Sequence, residues 1–377
     1  MPQEFIPVSK PLTNSTDASI VAALVEDGWL SGDAPVVAEF EEALASYTNR
    51  RYAVAVNSGT SALDIAVESL EITEMDEVII PSFTIISCLN AVLRTGGKPV
   101  FVDVQKNSWN VLAGDIAAAI TPKTKLIIVP HIYGLPAEIG EIEQIASERG
   151  IFLIEDAAEG LGLDIHGRPA GNFGTMSTLS FYANKVITTG EGGMVLTDDA
   201  DLAATLRRLR NLGFNSERRF VHDMLGWNFR MPALAAGLGL SQAQRIDEQV
   251  ALQRSRGTHY QGLLEETQFI QLPLDSLNGT DNIYWVFGFE LGPEVRLTAR
   301  DFMSALEKRG IGSRPFFYPL HQQPVLADYG FGAQPSLSVS ESLGDRGLYV
   351  PSLGTTVRER EVVAEAILEI LASETGT

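Results

Sequence analysis

Residues 177–193 read Ser177-Thr-Leu-Ser180-Phe-Tyr-Ala-Asn184-Lys185-Val-Ile-Thr-Thr189-Gly190-Glu191-Gly192-Gly193. A lysine follows a strand-like run, and Val-Ile and a glycine-rich turn lead from it into a second apolar run. Strands are predicted at Thr178–Tyr182 and Met194–Thr197. Ala183–Gly193, which separates them, is too short for a crossover helix, so one of the pair is expected to run antiparallel. Towards the N-terminus, further strands are predicted at Tyr52–Val56, Val78–Ile80, Val100–Val104, Leu126–Val129 and Ile151–Ile154. Several are apolar without alternation, as strands covered on both faces require. Helical patterns such as Ser61–Leu70, Ile139–Arg149 and Leu202–Leu212 are interleaved with them. The repetition predicts an α/β fold with a mostly parallel, seven-stranded wound sheet.

Beyond about residue 240 the pattern changes. A long helix is predicted from Pro232 to Glu266, then a strand at Ile283–Glu290, a helix at Thr298–Arg309, a strand at Ile311–Phe317 and a helix at Arg358–Ser373. A chain of 377 residues, at roughly 150 per domain, is expected to hold two domains. The division predicted is a large α/β domain over 1–240, including the N-terminal segment, and a smaller α+β domain over 241–377.

Hydrophobic residues at 45%, charged residues at 20% and 17 phenylalanines exclude a disordered chain. The 28 basic against 48 acidic residues give a formal net charge of −20. Nucleic-acid backbone and anionic membrane surfaces would repel such a chain, so neither is an expected partner. The single cysteine, Cys88, excludes an internal disulfide and a cysteine-based zinc site. His166, His222 and His259 show no ligand spacing, so no metal is expected. Met1 to Lys10 carry no basic stretch followed by an apolar core, and no apolar run reaches about 18 residues. A soluble cytoplasmic protein is expected.

Three segments carry chemistry. Asn57-Ser58-Gly59-Thr60-Ser61-Ala62 follows a strand and opens an amphipathic helix, where backbone amides and hydroxyls suit a phosphate. The same residues would also serve as a plain helix cap. Ile151-Phe-Leu-Ile-Glu-Asp156-Ala-Ala-Glu159 puts Asp156 at the carboxyl end of a buried strand, where open α/β sheets bind ligands. A structural salt bridge is the alternative there. Lys185 is one of only seven lysines. The other six (Lys10, Lys98, Lys106, Lys123, Lys125 and Lys308) lie in polar, proline-flanked or helix-surface contexts. Lys185 alone follows a buried strand, where partial burial favours the neutral amine able to form a Schiff base. A lone lysine there could equally snorkel to water. All three features in one domain fit pyridoxal phosphate: a helix end for the phosphate, a carboxylate for the pyridine nitrogen and an amine for the aldehyde.

The order Asn57–Ala62, Pro81-Ser-Phe-Thr84, Glu155-Asp-Ala-Ala-Glu159, Ser180-Phe-Tyr-Ala-Asn-Lys185, Thr189-Gly-Glu-Gly-Gly193 and Gly226-Trp-Asn-Phe-Arg-Met231 resembles the DegT/DnrJ/EryC1/StrS sugar aminotransferases. The resemblance runs from Gly28-Trp-Leu-Ser-Gly32 to the Pro351 region. Arg314-Pro-Phe-Phe-Tyr-Pro319 and His222-Asp-Met-Leu-Gly-Trp-Asn-Phe-Arg230 are most similar to the GDP-perosamine synthase branch. The resemblance implies a fold-type I homodimer with shared active sites, bound pyridoxal phosphate and amino transfer from L-glutamate. The acceptor it implies is a nucleotide-linked 4-ketosugar, GDP-4-keto-6-deoxymannose above others, with UDP- or dTDP-linked sugars and C3 amination left open. A related dehydratase branch carries histidine in place of the lysine, and Lys185 argues against that chemistry. A catalytically silent protein would be free to lose Lys185 or Asp156.

The resemblance also implies residue roles. Lys185 carries the cofactor and moves the proton, and Asp156 keeps the pyridine nitrogen protonated. Thr60, Ser61 and Ser180 hold the phosphate, and Asn228 reaches the phosphate of the neighbouring subunit. Glu159 stands where many relatives carry His or Gln near the ring hydroxyl. Ile85 occupies a position where the family often places Tyr or Trp on the ring, with Phe83 a nearby aromatic. Arg230 and Arg314 suit bidentate binding of a carboxylate or diphosphate, although a salt bridge explains Arg230 as well. Trp29, His131 and His321 are substrate candidates, with a structural hydrogen bond an equal reading for His131. The loops Asn211–Arg219 and Leu326–Ser336 carry no decodable signal for sugar or base.

Overall fold

Valine, isoleucine and alanine alternate across the central strands, so each strand sends side chains into two different cores. Ala53, Ala55, Ile79, Ile127 and Val129 pack on one face, and Val54, Val56, Val78, Ile80 and Ile128 on the other. The computed structural model describes residues 5–215, 218 and 220–375. Its large sheet contains β1 (Tyr52–Val56), β2 (Glu77–Pro81), β3 (Lys98–Val102), β4 (Thr124–Pro130), β5 (Phe152–Asp156), β6 (Met176–Ser180) and β7 (Gly193–Thr197). The spatial order is β1-β7-β6-β5-β4-β2-β3. β7 is antiparallel to both neighbours, and the pairs from β6 to β3 are parallel. The short turn after Lys185 therefore yields the expected reversal.

Helices cover both faces. Gly59–Glu68, Ile86–Thr95 and Ala200–Leu209 supply one core, and Pro35–Tyr47, Ile139–Arg149 and Ala233–Ala243 the other. Several boundaries differ from the sequence-based ones. The fifth strand extends through Asp156 rather than stopping at Ile154, and Val100–Val104 begins earlier, at Lys98. The helix predicted over Pro232–Glu266 is two helices, Ala233–Ala243 and Ile246–Leu264. Burial of Asp17 explains the break: it accepts from Ser241 Oγ (2.6 Å), Gln242 Nε2 (2.9 Å) and Arg245 Nη2 (2.9 Å), and this arrangement turns the chain at Arg245.

The C-terminal part forms an antiparallel sheet of β8 (Ile270–Gln271), β9 (Phe287–Leu291), β10 (Arg314–Pro315) and β11 (Gly347–Val350), in the order β8-β9-β11-β10. The strand predicted at Ile283–Glu290 pairs only from Phe287, because Tyr284 adopts φ 50°. The strand at Ile311–Phe317 shortens to Arg314–Pro315. Helices Ile246–Leu264, Ala299–Glu307 and Val357–Thr375 accompany this sheet, and Tyr260, Phe287, Phe289, Phe302 and Ile367 share its core. The N-terminal segment joins it, since Ile6 N donates to Gly310 O at 2.8 Å and Lys10 N to Leu353 O at 3.0 Å. A cluster including Phe83, Trp109, Tyr133, Trp285 and Phe316 lies where the two sheets approach each other. Among the described residues, no helix is long and apolar enough to cross a membrane.

Candidate active site

The carboxyl ends of β4, β5 and β6 open into a cavity of about 360 Å3. Its first wall is the start of the helix Gly59–Glu68. Ser58 caps this helix, its Oγ accepting from Ser61 N at 3.0 Å. The chain packs tightly there: a Cβ on Gly59 would lie 2.8 Å from Ser180 Cβ, and one on Gly193 would lie 2.3 Å from Ser58 O. Only glycine permits that approach. The first-turn amides, which have no earlier turn to bind, thus meet the hydroxyls of Ser58, Thr60 and Ser180 on one wall. Thr60 Oγ1 is linked to Ser87 Oγ at 2.8 Å. Ser61 is turned inward, its hydroxyl donating to Asn57 Oδ1 at 2.7 Å, so Ser58 rather than Ser61 lines the cavity.

Asp156, the last residue of β5, is 4% exposed. Its Oδ1 accepts from Ala158 N and Thr178 Oγ1, both at 3.2 Å, and its Oδ2 accepts from the Cys88 thiol at 3.5 Å. Burial pushes the Asp156 carboxyl up, against those hydrogen bonds and the charge of Lys185. Glu159 follows one turn later, accepting from Tyr133 N at 2.9 Å through Oε2. Its Oε1 lies 3.8 Å from Lys185 Nζ, with both side chains 11% exposed. Burial pushes Glu159 up to about 7 despite the lysine beside it. Burial likewise lowers Lys185 below the usual lysine range, although Glu159 and Asp156 oppose that. That direction favours the neutral, nucleophilic form of the amine.

Ile85 lines the cavity and is 39% exposed, leaving an apolar surface over the space between Asp156 and the helix end. Phe83 is fully buried against Tyr133, Phe316 and Phe317 and faces away from it. His131 reaches the cavity edge, but both ring nitrogens are committed: Nε2 donates to Glu155 Oε1 at 2.9 Å and Nδ1 accepts from Ala137 N at 3.2 Å. His321 is buried between Ser82 Oγ (2.6 Å) and Glu341 Oε1 (3.0 Å), outside the cavity wall. Arg314 is exposed beside its β11 partner Tyr349, which does line the cavity.

Arg230, Asn228 and Trp29 do not line the cavity within one chain. Arg230 Nη1 donates to Asn211 Oδ1 at 2.7 Å, Asn228 is exposed, and Trp29 is 47% exposed. Of the loop Asn211–Arg219, residues 216, 217 and 219 lie outside those described.

Sequence reading did not single out Trp285, Phe317 and Tyr349, which enter the cavity from the C-terminal part. No local pattern marks them. Asn184, beside the lysine, also lines the cavity, and its buried Oδ1 has no protein hydrogen-bond partner. A hydroxyl-rich helix end, a strand-end carboxylate and a buried lysine in one cavity are the groups that a phosphorylated pyridine aldehyde requires. Among the described residues, no group of three or more His, Cys, Asp or Glu is placed to hold a metal ion.

The aminotransferase TlmJ from Streptoalloteichus hindustanus has the same architecture. It is 27% identical and superposes with a TM-score of 0.90 over 98% of this chain and 99% of its own. Fold and site together define a fold-type I, pyridoxal-phosphate-dependent aminotransferase. The model of the DegT/DnrJ/EryC1/StrS aminotransferase family matches residues 12–368. GDP-perosamine synthase of Caulobacter vibrioides is 36% identical over 368 residues, covering 97% of this chain and 98% of its own. The UDP-N-acetyl-3-dehydro-alpha-D-glucosamine 3-aminotransferase of Acidithiobacillus ferrooxidans is also 36% identical, over 85% of this chain and 84% of its own. The chain belongs to the DegT/DnrJ/EryC1/StrS aminotransferase family.

Proposed function

We propose that this enzyme transfers the amino group of L-glutamate to C4 of a nucleotide-linked 4-keto-6-deoxyhexose, GDP-4-keto-6-deoxymannose, giving GDP-perosamine. The observation that carries the aminotransferase part is the seating of Lys185 Nζ within 3.8 Å of Glu159 at the carboxyl edge of the sheet, opposite a helix N-terminus. The 36% identity to a GDP-perosamine synthase across nearly both whole chains supports the acceptor.

Pyridoxal phosphate, when bound, supplies an aldehyde that condenses with amines and a ring that accepts electron density. Ser58, Thr60 and Ser180, with the amides of the helix end, would hold its phosphate, and Ser61 braces that turn through Asn57. Asp156 would hold a proton at the pyridine nitrogen, Glu159 would serve the ring hydroxyl, and Ile85 would offer its apolar surface to the ring. Lys185 would hold the aldehyde carbon, and its amine, when free, would accept and return a proton through Nζ.

We assign Arg314, beside Tyr349 at the rim, to the donor carboxylate or the nucleotide diphosphate, where a guanidinium fork binds two oxygens at once. Arg230 and Trp29 are assigned to the acceptor's surroundings in a shared site, with His321 behind the cavity wall, while His131, committed through both ring nitrogens, takes the structural role. Asn228 would serve the phosphate of a neighbouring subunit. Leu225, 88% exposed, and the half-exposed Trp29 and Trp227 support a homodimer, since a second copy would cover them. Residues 241–377 are read as a smaller domain that closes over substrate bound to residues 1–240.

A panel of GDP-, UDP- and dTDP-linked ketosugars with L-glutamate tests this reading. The highest kcat/KM is expected for GDP-4-keto-6-deoxymannose. Preference for a UDP-linked 3-ketosugar would replace it with the activity of the Acidithiobacillus relative's name. Turnover of no nucleotide ketosugar would overturn the substrate class.

A further inference from the structure

A reactive lysine must be held in place while its amine is free, and the carboxylates beside it hold best the ammonium, which has no lone pair to give. At Lys185 the hold comes from the opposite wall. Nζ lies 3.6 Å from the centroid of the Trp285 ring. The same indole donates from Nε1 to the backbone carbonyl of Asn184 at 2.9 Å. One side chain therefore meets two consecutive residues, the carbonyl by its edge and the amine by its face.

Trp285 itself is fixed. It is 6% exposed, its ring centroid is 5.9 Å from that of Tyr133, and a Cβ on Gly134 would lie 2.7 Å from its backbone nitrogen. It belongs to the segment entering β9, so the lysine of the large sheet is gripped by a residue of the C-terminal part.

We infer that Trp285 is a positioning residue for Lys185, holding both the turn that carries the lysine and the free amine at the point where it meets the cofactor aldehyde. The charged groups acting on that amine are Asp156 at the end of β5 and Glu159 just beyond it; Tyr349 and Tyr182 line the same cavity, with Arg314 paired to Tyr349. Burial favours the neutral amine, while the two carboxylates and the ring face favour the ammonium. Removing the ring face leaves the neutral amine commoner at a given pH.

The test needs no sugar substrate. Full-length protein is stripped of cofactor, and the second-order rate of reloading with pyridoxal phosphate is followed by its absorbance across pH. The rising limb reports the neutral fraction of Lys185. Trp285→Leu is expected to move that limb to lower pH by roughly 0.5–1 unit. Trp285→Phe keeps an aromatic face and is expected to stay nearer the wild type, while both variants reload more slowly because the bond to Asn184 is lost. A Trp285→Leu limb at the wild-type position or at higher pH would overturn the proposal, and so would a Trp285→Phe limb that moves as far as the Leu one.

If Trp285→Leu does not fold, biosynthetic labelling with a fluorinated tryptophan weakens the ring face without changing its shape. The labelled wild type is expected to show the shift to lower pH, with labelled Trp285→Phe as background for the other three tryptophans. An unmoved limb in the labelled wild type overturns the proposal equally.

Discussion

Glu155 and Asp156 are neighbours on one strand and point to opposite faces of it. Glu155 is fully buried among partners: it accepts from His131 Nε2 (2.9 Å), Gly171 N (2.9 Å), Phe173 N (2.9 Å) and Ser177 Oγ (2.7 Å). Burial pushes this carboxyl up, but those donors outweigh it and hold it below the usual glutamate range. Asp156 has weaker partners, faces a cavity and is pushed up. Two buried carboxylates 1 residue apart thus have opposite fates. The saturated one is structural, and the one with capacity to spare is available to a ligand.

The largest effect that sharpens the contrast comes from the group Asp156 serves. Lys185→Ala is expected to lower turnover by roughly 10^4-fold or more while leaving the melting temperature nearly unchanged. Steady-state assay beside calorimetry checks both halves.

Asp156→Asn should follow, losing roughly 10^2–10^4 in kcat with little loss of stability. Its counterpart Glu155→Gln should do the reverse. That variant leaves donors facing a neutral amide, costing about 2–4 kcal/mol in urea unfolding, with kcat per folded site within a few-fold of wild type. Equal losses of activity in the two variants would break the comparison.

Glu159 lies between these cases. Its carboxyl is raised from 4.5 to about 7 in the folded protein, so the folded state keeps a proton that the unfolded chain has released. The stability tied to that proton is complete below about pH 4.5 and is lost as pH climbs through about 7. Glu159→Gln cannot titrate. In cofactor-free protein the variant should therefore gain on wild type between pH 5 and pH 8, by on the order of 1–2 kcal/mol. A stability difference that does not change with pH would contradict this.

The smallest effect expected is that of Cys88→Ala. The thiol is one of three donors to Asp156, at 3.5 Å, so a change of only a few-fold in kcat is expected.

Residues whose position follows from local pattern were legible in the sequence. Asp156 terminates an apolar run, so a strand end places it at the edge of the sheet, and Lys185 follows in the turn five residues past the end of β6. The seven strands follow from the same runs, and the reversal at β7 from a connection too short to cross over. The phosphate turn was legible only to within a few residues. Both Ser58 and Ser61 sit in the motif, and the cap geometry alone decides that Ser58 faces the cavity.

Trp285, Phe317 and Tyr349 were not legible. They reach the site through the packing of the C-terminal part, 100 or more residues beyond Lys185, and tertiary contacts of that kind leave no periodic trace. The break at Arg245 was hidden for the same reason, since its cause is Asp17 on a distant helix. His131 had two open readings. Its commitment to Glu155 and Ala137 favours the structural one.

The central claim is that one lysine of seven carries the cofactor. Reduction of the pyridoxal-phosphate-loaded enzyme with borohydride, followed by peptide mass spectrometry, tests it most directly. The account predicts the reduced pyridoxyl-phosphate mass on Lys185 alone. Stoichiometric label on Lys10, Lys98, Lys106, Lys123, Lys125 or Lys308 instead would contradict it.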